Sequence, residues 1–570
     1  MSIAHIQGSV HRSPLEGSRV KAAGVVTAVD TRGVWLQDPV DDNSPATSQA
    51  LYLATTAAPG LRPGDRVEAT GRVDEHRPGG VESADLSSTR VSAGARDVRV
   101  VERGVALPDP VVLGRGGRTV PAAITRPGDV DGRTALDVAG DALDFFESLE
   151  GMRVTTRDAV VLGPSAAGTV TVLADGGSGV ADRSPRGGMT AGDGDPNPER
   201  IVLADTLTPG SVPAALDTGD TLTPATGILD YDAGAWCLLL TQAPQVTPGH
   251  LQRQRATAPA PGALSIATAN VENLSAVSPA GKFEDLAREF VTGLRSPDIV
   301  IAEEIQDNDG DSTDTDVVAA DTTWRRLTDA ISRAGGPAYQ VRQIDPVDDA
   351  DGGARGGNIR VGIMFRTDRG LTFTDRPGGD PIAPTRVLGA GGATRLSASP
   401  GRITPGNPAF AGTRKSLAAE FRHCGETLFV LANHWSSQRG DSPATGRYQP
   451  PRNPSRETRL EQARAIASFT RALLAANPAA RLAVTGDLND TEYSTPVRAL
   501  TDAGLTDLPA TLPRPERYTY IHQGNGQILD HILLSPALTH RPHTYEIIHL
   551  NSEFHDQASD HDPQLVHITP

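Results

Sequence analysis

The sequence predicts a multidomain protein in which two β-barrel-like modules precede a layered α/β domain. Three observations carry this reading. The first 250 residues hold strand-forming runs bounded by Gly and Asp turns, such as 20–29 (VKAAGVVTAV) and 33–38 (GVWLQD), with one short helix candidate at 141–149. A short string recurs within that stretch. From residue 263 onward, strands and helices alternate.

The repeat separates the first two modules. Leu15-Glu16-Gly17-Ser18-Arg19-Val20 returns as Leu149-Glu150-Gly151-Met152-Arg153-Val154. Gly64-Asp65 ahead of Gly71 returns as Gly219-Asp220 ahead of Gly227. Two matches in the same order imply two copies of one small β unit, over 1–104 and 105–250. Residues 176–200, rich in Gly, Asp, Pro and Ser, are expected to be a loop insertion in the second copy. Residues 247–262 (TPGHLQRQRATAPAPG) read as a linker into a third domain, 263–570. There the strand candidates are 264–269, 298–302, 359–365, 417–422, 427–432, 482–485, 528–534 and 564–568. The helix candidates are 284–294, 321–334, 456–476 and 495–503, with Ser455 as N-cap of the long one.

Composition narrows the function. A chain of 570 residues accommodates two to four domains. Its net charge of -17 excludes a protein that holds nucleic acid by bulk positive charge, so any such contact has to be local. With two cysteines, Cys237 and Cys424, no zinc framework can be built, and lying in different domains they are not expected to pair. No apolar run reaches membrane-spanning length. The opening MSIAHIQGSV lacks the basic and apolar regions of a signal peptide, which suits a cytoplasmic protein or a trimmed N-terminus.

In the third domain, apolar strands end again and again in Asn, Asp, Glu or His: Asn270, Glu304, Asn433-His434, Asp487-Leu488-Asn489, Asp530-His531 and Asp560-His561. Strand ends are where loops of an α/β domain converge on a site. The residue types suit phosphodiester hydrolysis. Carboxylates and carboxamides supply hard oxygen ligands for magnesium, which polarises a phosphoryl oxygen. Two histidines in distinct environments serve as acid and base, and a buried carboxylate such as Asp530 fixes the tautomer of one of them. Asp487 and Asn489 flank a leucine and so point to the same side of an extended chain.

The segments ATANVENL (267–274), DIVIAEEIQDNDG (298–310), NIRVGIMFR (358–366), TRKSLAAEF (413–421), FVLANHW (429–435), AVTGDLND (483–490), ILDHILLS (528–535) and ASDHDP (558–563) resemble the endonuclease/exonuclease/phosphatase family, which includes the deoxyribonuclease I-like enzymes. The N-terminal IAHIQGSVHRSPLEG, GVWLQDP, LRPGDRVEATGRV, DFFESLEGMRV and ATGILDY are similar to OB-fold domains that precede this catalytic domain in secreted bacterial nucleases. The resemblance implies two OB-fold-like modules and a four-layer α/β sandwich. It implies metal binding by Asn270 and Glu304, with Asp560 completing or adjoining the site. It casts His561 as general base oriented by Asp530, and His434 as phosphate stabiliser or acid. Asp487 and Asn489 would position nucleophile and phosphate, and Arg414 would contact the phosphate. The cofactor expected is Mg2+, with Mn2+ or Ca2+ as alternatives. One departure stands out: Asn358 occupies a position where relatives often place a carboxylate that supports the first histidine.

Other residues have plainer readings. Glu303 and His531 are expected to be structural, Lys415 a surface residue, and His549, His555 and His567 incidental. Eight Lys/Arg between 410 and 460 line a backbone-binding groove or simply solvate a helix face and loop. Trp35 and Tyr52 either stack single strands, as OB folds do, or belong to the core. The function expected is a metal-dependent nuclease acting on DNA, with RNA as the alternative substrate and no protein partner. The competing readings are a phosphoesterase for phospholipid or inositol phosphates, and a non-catalytic binding protein. The resemblance points to an extracellular or cell-surface location.

Overall fold

The structure, a computed structural model, describes residues 1–312 and 314–569. It divides into two units. One comprises residues 1–251 with 441–452 and 522–525; the other comprises 252–440, 453–521 and 526–570.

The first unit opens with a closed five-stranded barrel. Arg19–Val29, Gly33–Gln37, Ala50–Ala54, Ser88–Ser92 and Arg66–His76 follow one another by hydrogen bonding, and Arg66–His76 pairs back onto Arg19–Val29. Only 50–54 and 88–92 run parallel. The long first strand serves two neighbours because its register slips between Val26 and Ala28, which bends it around the barrel. Alternate residues Val20, Ala22, Val26, Val34, Leu36, Leu51, Leu53, Val67 and Val73 fill the interior. A five-residue helix, Ile3–Gln7, adds Ile3 and Ile6 to that core. It is too short to show a helical period and was not foreseen.

The second module repeats much of this order. Ala159–Val161, Thr169–Leu173, Ile201–Ala204, Ala235–Leu240, Ala225–Asp232 and Arg153–Thr156 are neighbours in that sequence, again with one parallel pair, 201–204 with 235–240. The sequence echo has a geometric counterpart. Gly17 and Gly151 both sit at positive φ (79° and 71°) and donate across to Val73 O and Leu229 O. The Gly64 and Gly219 turns (φ 86° and 88°) are each closed by the following Asp, whose carboxylate accepts the N–H of Arg62 or of Asp217 at 3.0 Å. At both Gly71 and Gly227 a Cβ would meet a carbonyl of the next strand, at 2.4 and 2.3 Å. These contacts explain why the string recurs: each position needs a glycine or a turn-closing aspartate. In the 176–200 loop, Met189 is buried against Val160, Leu162 and Leu173.

Trp35 and Tyr52 do not offer a stacking surface. They are 4% and 7% exposed and pack edge-to-face, 4.8 Å apart, against Val202, Cys237 and Leu239 of the second module. The apolar cluster between the modules absorbs these aromatics. Cys237 and Cys424 are both free. Within the same unit, Arg447 forms a two-pronged pair with Asp129 at 2.7 and 2.6 Å, and residues 448–449 pair with 128–129. Arg447 therefore serves a structural pair and is not available to a backbone-binding groove.

The second unit is built on two large sheets, with a small two-stranded one, 387–388 with 395–396, beside them. One runs in the order Gln340–Arg342, Arg360–Phe365, Ile299–Ile305, Leu264–Leu274, Gln564–Ile568, His543–Ile547. The other runs Leu371–Phe373, Leu417–His423, Glu426–His434, Arg481–Asp487, Asp530–Leu534, Thr506–Asp507. Leu264, Ile266, Ile299 and Ile301 share one core with Leu417, Val430, Ala432 and Ile532 of the other sheet. The alternate residues Ala267, Val300 and Ala302 pack with helices Ala280–Arg288 and Asp321–Arg333. Phe429, Leu431, Val484 and Leu533 pack with Ser455–Ala476 and Thr495–Thr501. Both faces of each sheet are buried, so these strands read as unbroken apolar runs. Ser455 is not an N-cap: it is the first helical residue, and its hydroxyl accepts from Arg459.

The first unit contains a buried ionic group that also tests its stability. His11, 1% exposed, lies 2.7 Å from Asp144 and 3.0 Å from Glu147, while Arg133 holds Asp141 and Asp144. Burial opposes charge on His11, but Glu147 and Asp144 outweigh it and raise the imidazole to about 9. Because the folded pKa lies above the ordinary 6.5, the stabilisation is whole below pH 6.5 and is lost as pH rises through about 9. His11→Gln is expected to cost this unit about 3–5 kcal/mol, because buried Glu147 loses its cationic partner while Asp144 keeps Arg133 and Arg126. Denaturant unfolding across pH 6–10 measures both effects: the alkaline loss seen in the parent should be absent in the variant.

Candidate active site

The two sheets place their polar strand ends at one edge of the second unit. Leu264–Leu274 runs parallel to Ile299–Ile305, and Glu426–His434 parallel to Arg481–Asp487, so each pair ends on the same side. Asp530 starts a strand antiparallel to 481–487 and faces Asp487 in register. His561 precedes Gln564–Ile568, which pairs with the Asn270 strand through Thr268 and Gln564. The edge is therefore where Asn270, Glu304, His434, Asp487, Asp530 and His561 converge.

Local backbone bends aim these side chains. Pairing of 264–274 with 299–305 slips between Asn270 and Leu274, and pairing of 299–305 with 360–365 slips between Ala302 and Ile305. At the bulges Glu272, Asn273 and Glu304 take left-handed φ values of 50°, 52° and 62°. Each such residue costs about 1–2 kcal/mol and persists only where its surroundings hold it. Here the bends hold each other. The Glu272 N–H donates to Asn270 Oδ1 at 2.9 Å, and the Asn273 N–H donates to Glu304 Oε2 at 3.0 Å.

Glu304, His434 and Asp487 each point one donor atom into a common space, all within 4.8 Å of one another. The Asn270 carboxamide NH2 bridges the two carboxylates, 3.1 Å from Glu304 and 3.3 Å from Asp487. Asn270 thus joins the two sheets across the site, while its oxygen is engaged by the Glu272 N–H. His434 Nε2 lies 3.5 Å from Asp487 and 3.9 Å from Glu304. Its pKa is driven well below the ordinary value by burial, then by Arg414 and His561, so the ring is neutral at pH 7. Among the described residues its Nδ1 finds no partner. Asn358 does not support it: that side chain donates to Asp307, Asp348 and the Val317 carbonyl instead.

On the other side of Asp487, His561 Nδ1 lies 2.7 Å from Asp530 Oδ2. The Thr519 hydroxyl donates to the same oxygen at 2.6 Å. Burial opposes charge on His561, but Asp530, followed by Asp487 and Asp560, holds its pKa well above the ordinary value. The two histidines therefore differ in protonation: His434 neutral, His561 charged. Burial and the nearby Asp530 push Asp487 up to about 7. Its other oxygen accepts the Asn489 N–H at 2.8 Å, and the Asn489 amide donates to the Trp435 carbonyl at 3.1 Å. Arg414, 8% exposed, donates to that same carbonyl at 2.5 Å, and the fields of Glu304 and Asp487 act on its charge.

Asp560 is half-buried beside these groups rather than within the three-residue cluster; its charge acts on Glu272, Tyr520 and His561. Glu303 is fully buried, accepts from the Thr268 hydroxyl at 2.6 Å, and is raised well above its ordinary pKa by burial and Asp530. Two residues near the cluster were not foreseen. Glu272 feels both Asp560 and Glu304 and pairs with Lys282 at 3.3 Å; its spacing of two from Asn270 was the available signal. Tyr520 lies with its ring 4.9 Å from that of His561, and nothing in its local sequence marks it. The proposed basic groove is largely spent within this unit: Lys415 pairs with Asp351 at 2.9 Å and Arg459 with Asp490 at 2.9 Å, leaving Arg422 and Arg439 exposed.

The donor set of two carboxylates and one neutral imidazole fits a divalent cation, because both carboxylates face inward and already need a positive partner. Carboxylates that could hold a cation, beside one neutral and one charged imidazole, are the groups that metal-assisted phosphoester hydrolysis requires. The chain belongs to the endonuclease/exonuclease/phosphatase family, whose model matches residues 267–561, just over half of its length. Membership makes it a phosphodiester hydrolase, of a family whose enzymes depend on a divalent metal. A second model, described as a domain of unknown function, matches residues 112–249. No curated protein matches the chain in sequence. Solved structures similar to it include D. rerio TDP2 complexed with single strand DNA product (16% identity, 54% of this chain and 99% of that one, TM-score 0.34). Another is the human nocturnin catalytic domain with bound sulfate (13%, 56% and 97%, TM-score 0.34). A third is an endonuclease/exonuclease/phosphatase family protein from Leptotrichia buccalis (12%, 54% and 100%, TM-score 0.35).

Gly486 shows how tightly the edge is built. Its φ is 135°, and a Cβ there would stand 1.9 Å from the Asn433 carbonyl oxygen. Gly486→Ala is expected to destabilise the protein by about 3 kcal/mol or more and to displace the adjoining Asp487. Thermal unfolding measures the first effect and loss of hydrolysis the second.

Proposed function

We propose that this protein hydrolyses phosphodiester bonds of nucleic acid, DNA foremost, by attack of an activated water, with Mg2+ as cofactor. The observation that carries this reading is the arrangement around Asp487. A charged His561–Asp530 pair lies on one side of it, and a neutral His434 with Glu304 lies on the other. Glu304 and Asp487 would hold the cation with Asn270 and Asp560 adjoining. The cation would offset their charge, polarise a phosphoryl oxygen and stabilise the charge that develops on it. A cation held there would weaken the negative field that Asp487 and Asp560 place on His561, whose role would be to accept a proton from water. Asp530 keeps the ring oriented and stabilises the imidazolium that forms. Neutral His434 and the Arg414 guanidinium would face the phosphate oxygens, and Asn489 would fix the phosphate.

In the same reading, residues 263–570 form a four-layer α/β sandwich. Residues 105–250 form a second OB-like barrel, its first strand broken at Arg157–Asp158, following the one at 1–104. Exposed Arg439, one residue beyond Gln438, which donates to the Asn489 carbonyl at 3.2 Å, supports an extended polyanionic substrate on a chain of net charge -17. The burial of Trp35 and Tyr52 removes one argument for single-strand binding and favours weighing a second reading. In that reading the same phosphate chemistry acts on inositol-phosphate or phospholipid head groups. An extracellular or cell-surface setting remains part of the proposal.

A panel of duplex DNA, single-stranded DNA, RNA and phospholipid, each with Mg2+, Mn2+ or Ca2+, tests the reading. DNA cleavage that EDTA abolishes is the expected result; hydrolysis of lipid alone would replace it with the second reading. His561→Ala should lower kcat about 10³-fold. Asp530→Asn should lower it about 10²–10⁴-fold. Because Asp530 raises the His561 pKa, its removal should also move the acid limb of the kcat/KM profile to lower pH.

A further inference from the structure

Behind the turn that carries Asp487 and Asn489 lies an ionic group that the proposed reaction does not use. His531 is fully buried. Its Nδ1 is 2.9 Å from Asp507 Oδ1, and its Nε2 is 2.9 Å from the carbonyl oxygen of Asp490. A carboxylate and a carbonyl both accept, so both ring nitrogens donate and the imidazole is a cation. Burial opposes that charge, but Asp507 outweighs it and the pKa rises to about 9, with Glu492 adding to the negative surroundings.

Asp490 is gripped from a second direction. Its carboxylate accepts Arg459 Nε at 2.9 Å. Arg459, 1% exposed, also donates to the Ser437 carbonyl at 3.1 Å, just beyond the end of the His434 strand. The turn held in this way is a tight one: Asn489 lies at φ 52°, in the left-handed region that asparagine tolerates. Strand geometry explains the division of labour. Across the ladder Asp487 faces Asp530 and Gly486 faces His531. Consecutive residues point to opposite faces. Ile532 and Leu534 lie in the core between the sheets, on the Asp530 side, and Leu533 lies in the helix-covered core, on the His531 side.

We propose that His531, anchored by Asp507, is a positioning residue for hydrolysis: by bonding the Asp490 carbonyl it holds the 487–490 turn so that Asp487 and Asn489 face the phosphate. This rests on the hydrolytic reading above and extends it to a residue that touches neither substrate nor cation. A neutral aromatic ring fills the same space without donating, whereas glutamine keeps one donor for the carbonyl.

The test uses the full chain and its His531→Phe, His531→Gln and Asp507→Asn variants, with duplex DNA and bis(p-nitrophenyl) phosphate as substrates in Mg2+. His531→Phe should lower kcat about 100-fold on both substrates with KM within about twofold, the scale of loss expected when reacting groups are misplaced by about 1 Å. His531→Gln should recover about tenfold of that loss, and Asp507→Asn should fall between the parent and His531→Phe. Hydrogen exchange of the 487–491 amides should quicken in His531→Phe while strand 417–423 is unchanged. The proposal is overturned if kcat is unaffected, if the Phe and Gln variants fall equally and in step with their unfolding midpoints, or if exchange at 487–491 is unaltered. A parent protein that hydrolyses neither diester defeats the hydrolytic reading instead, and the exchange measurement still decides whether His531 holds the turn.

Discussion

Carboxylates that repel one another, crowded together and largely buried, are the constraint on which the second unit's edge depends. Asp487 and Asp530 are each 1% exposed and face each other in register, with Glu303 fully buried beside them and Glu304 across the gap. Left alone, such a group would expel its charges or open to solvent. Several compensations keep it closed. Asn270 lends one amide to two carboxylates, the His561 imidazolium sits on Asp530, and Arg414 lies within reach of Glu304 and Asp487. The remaining negative charge is the physical reason a divalent cation belongs here.

The same constraint accounts for the strained backbone. An extended strand would carry successive side chains to opposite faces and could not turn both Asn270 and Glu304 into one space. Bulges at Asn270–Leu274 and Ala302–Ile305 break that alternation, at the cost of three left-handed residues that are not glycine. The inter-sheet core beneath, with Ile266, Ile301, Val430 and Ile532 fully buried, is what makes those bends affordable, since it fixes both strands before they reach the edge.

The first unit is organised around a different economy. Its two modules reuse the same glycine turns and much of one order of paired strands, so one set of backbone solutions serves twice. The face that carries Trp35 and Tyr52 is spent on packing between the modules rather than on a ligand. A buried His11 held between Asp144 and Glu147 adds a charged contact to that junction. Residues 441–452 and 522–525, although they come from the C-terminal half of the sequence, are part of this unit.

Much of this was legible in the residues alone. Local rules of period and turn chemistry mark the strands and helices. The recurring Leu-Glu-Gly and Gly-Asp strings mark two related β units, because particular φ values demand particular residues at those positions. Asn270, Glu304, His434, Asp487, Asn489, Asp530 and His561 could be picked out because polar residues ending apolar strands are conspicuous. What those rules could not supply is anything set by distant parts of the chain. The helix at Ile3–Gln7 is too short to have a period. Trp35 reads the same in sequence whether solvent or another module covers it. Glu272 and Tyr520 gain their place from a bulge and from ring contact with His561. The opposite protonation of His434 and His561 arises from burial and from neighbours on other strands and loops, such as Arg414 for the first and Asp530 and Asp487 for the second, and only the folded arrangement brings those neighbours within range.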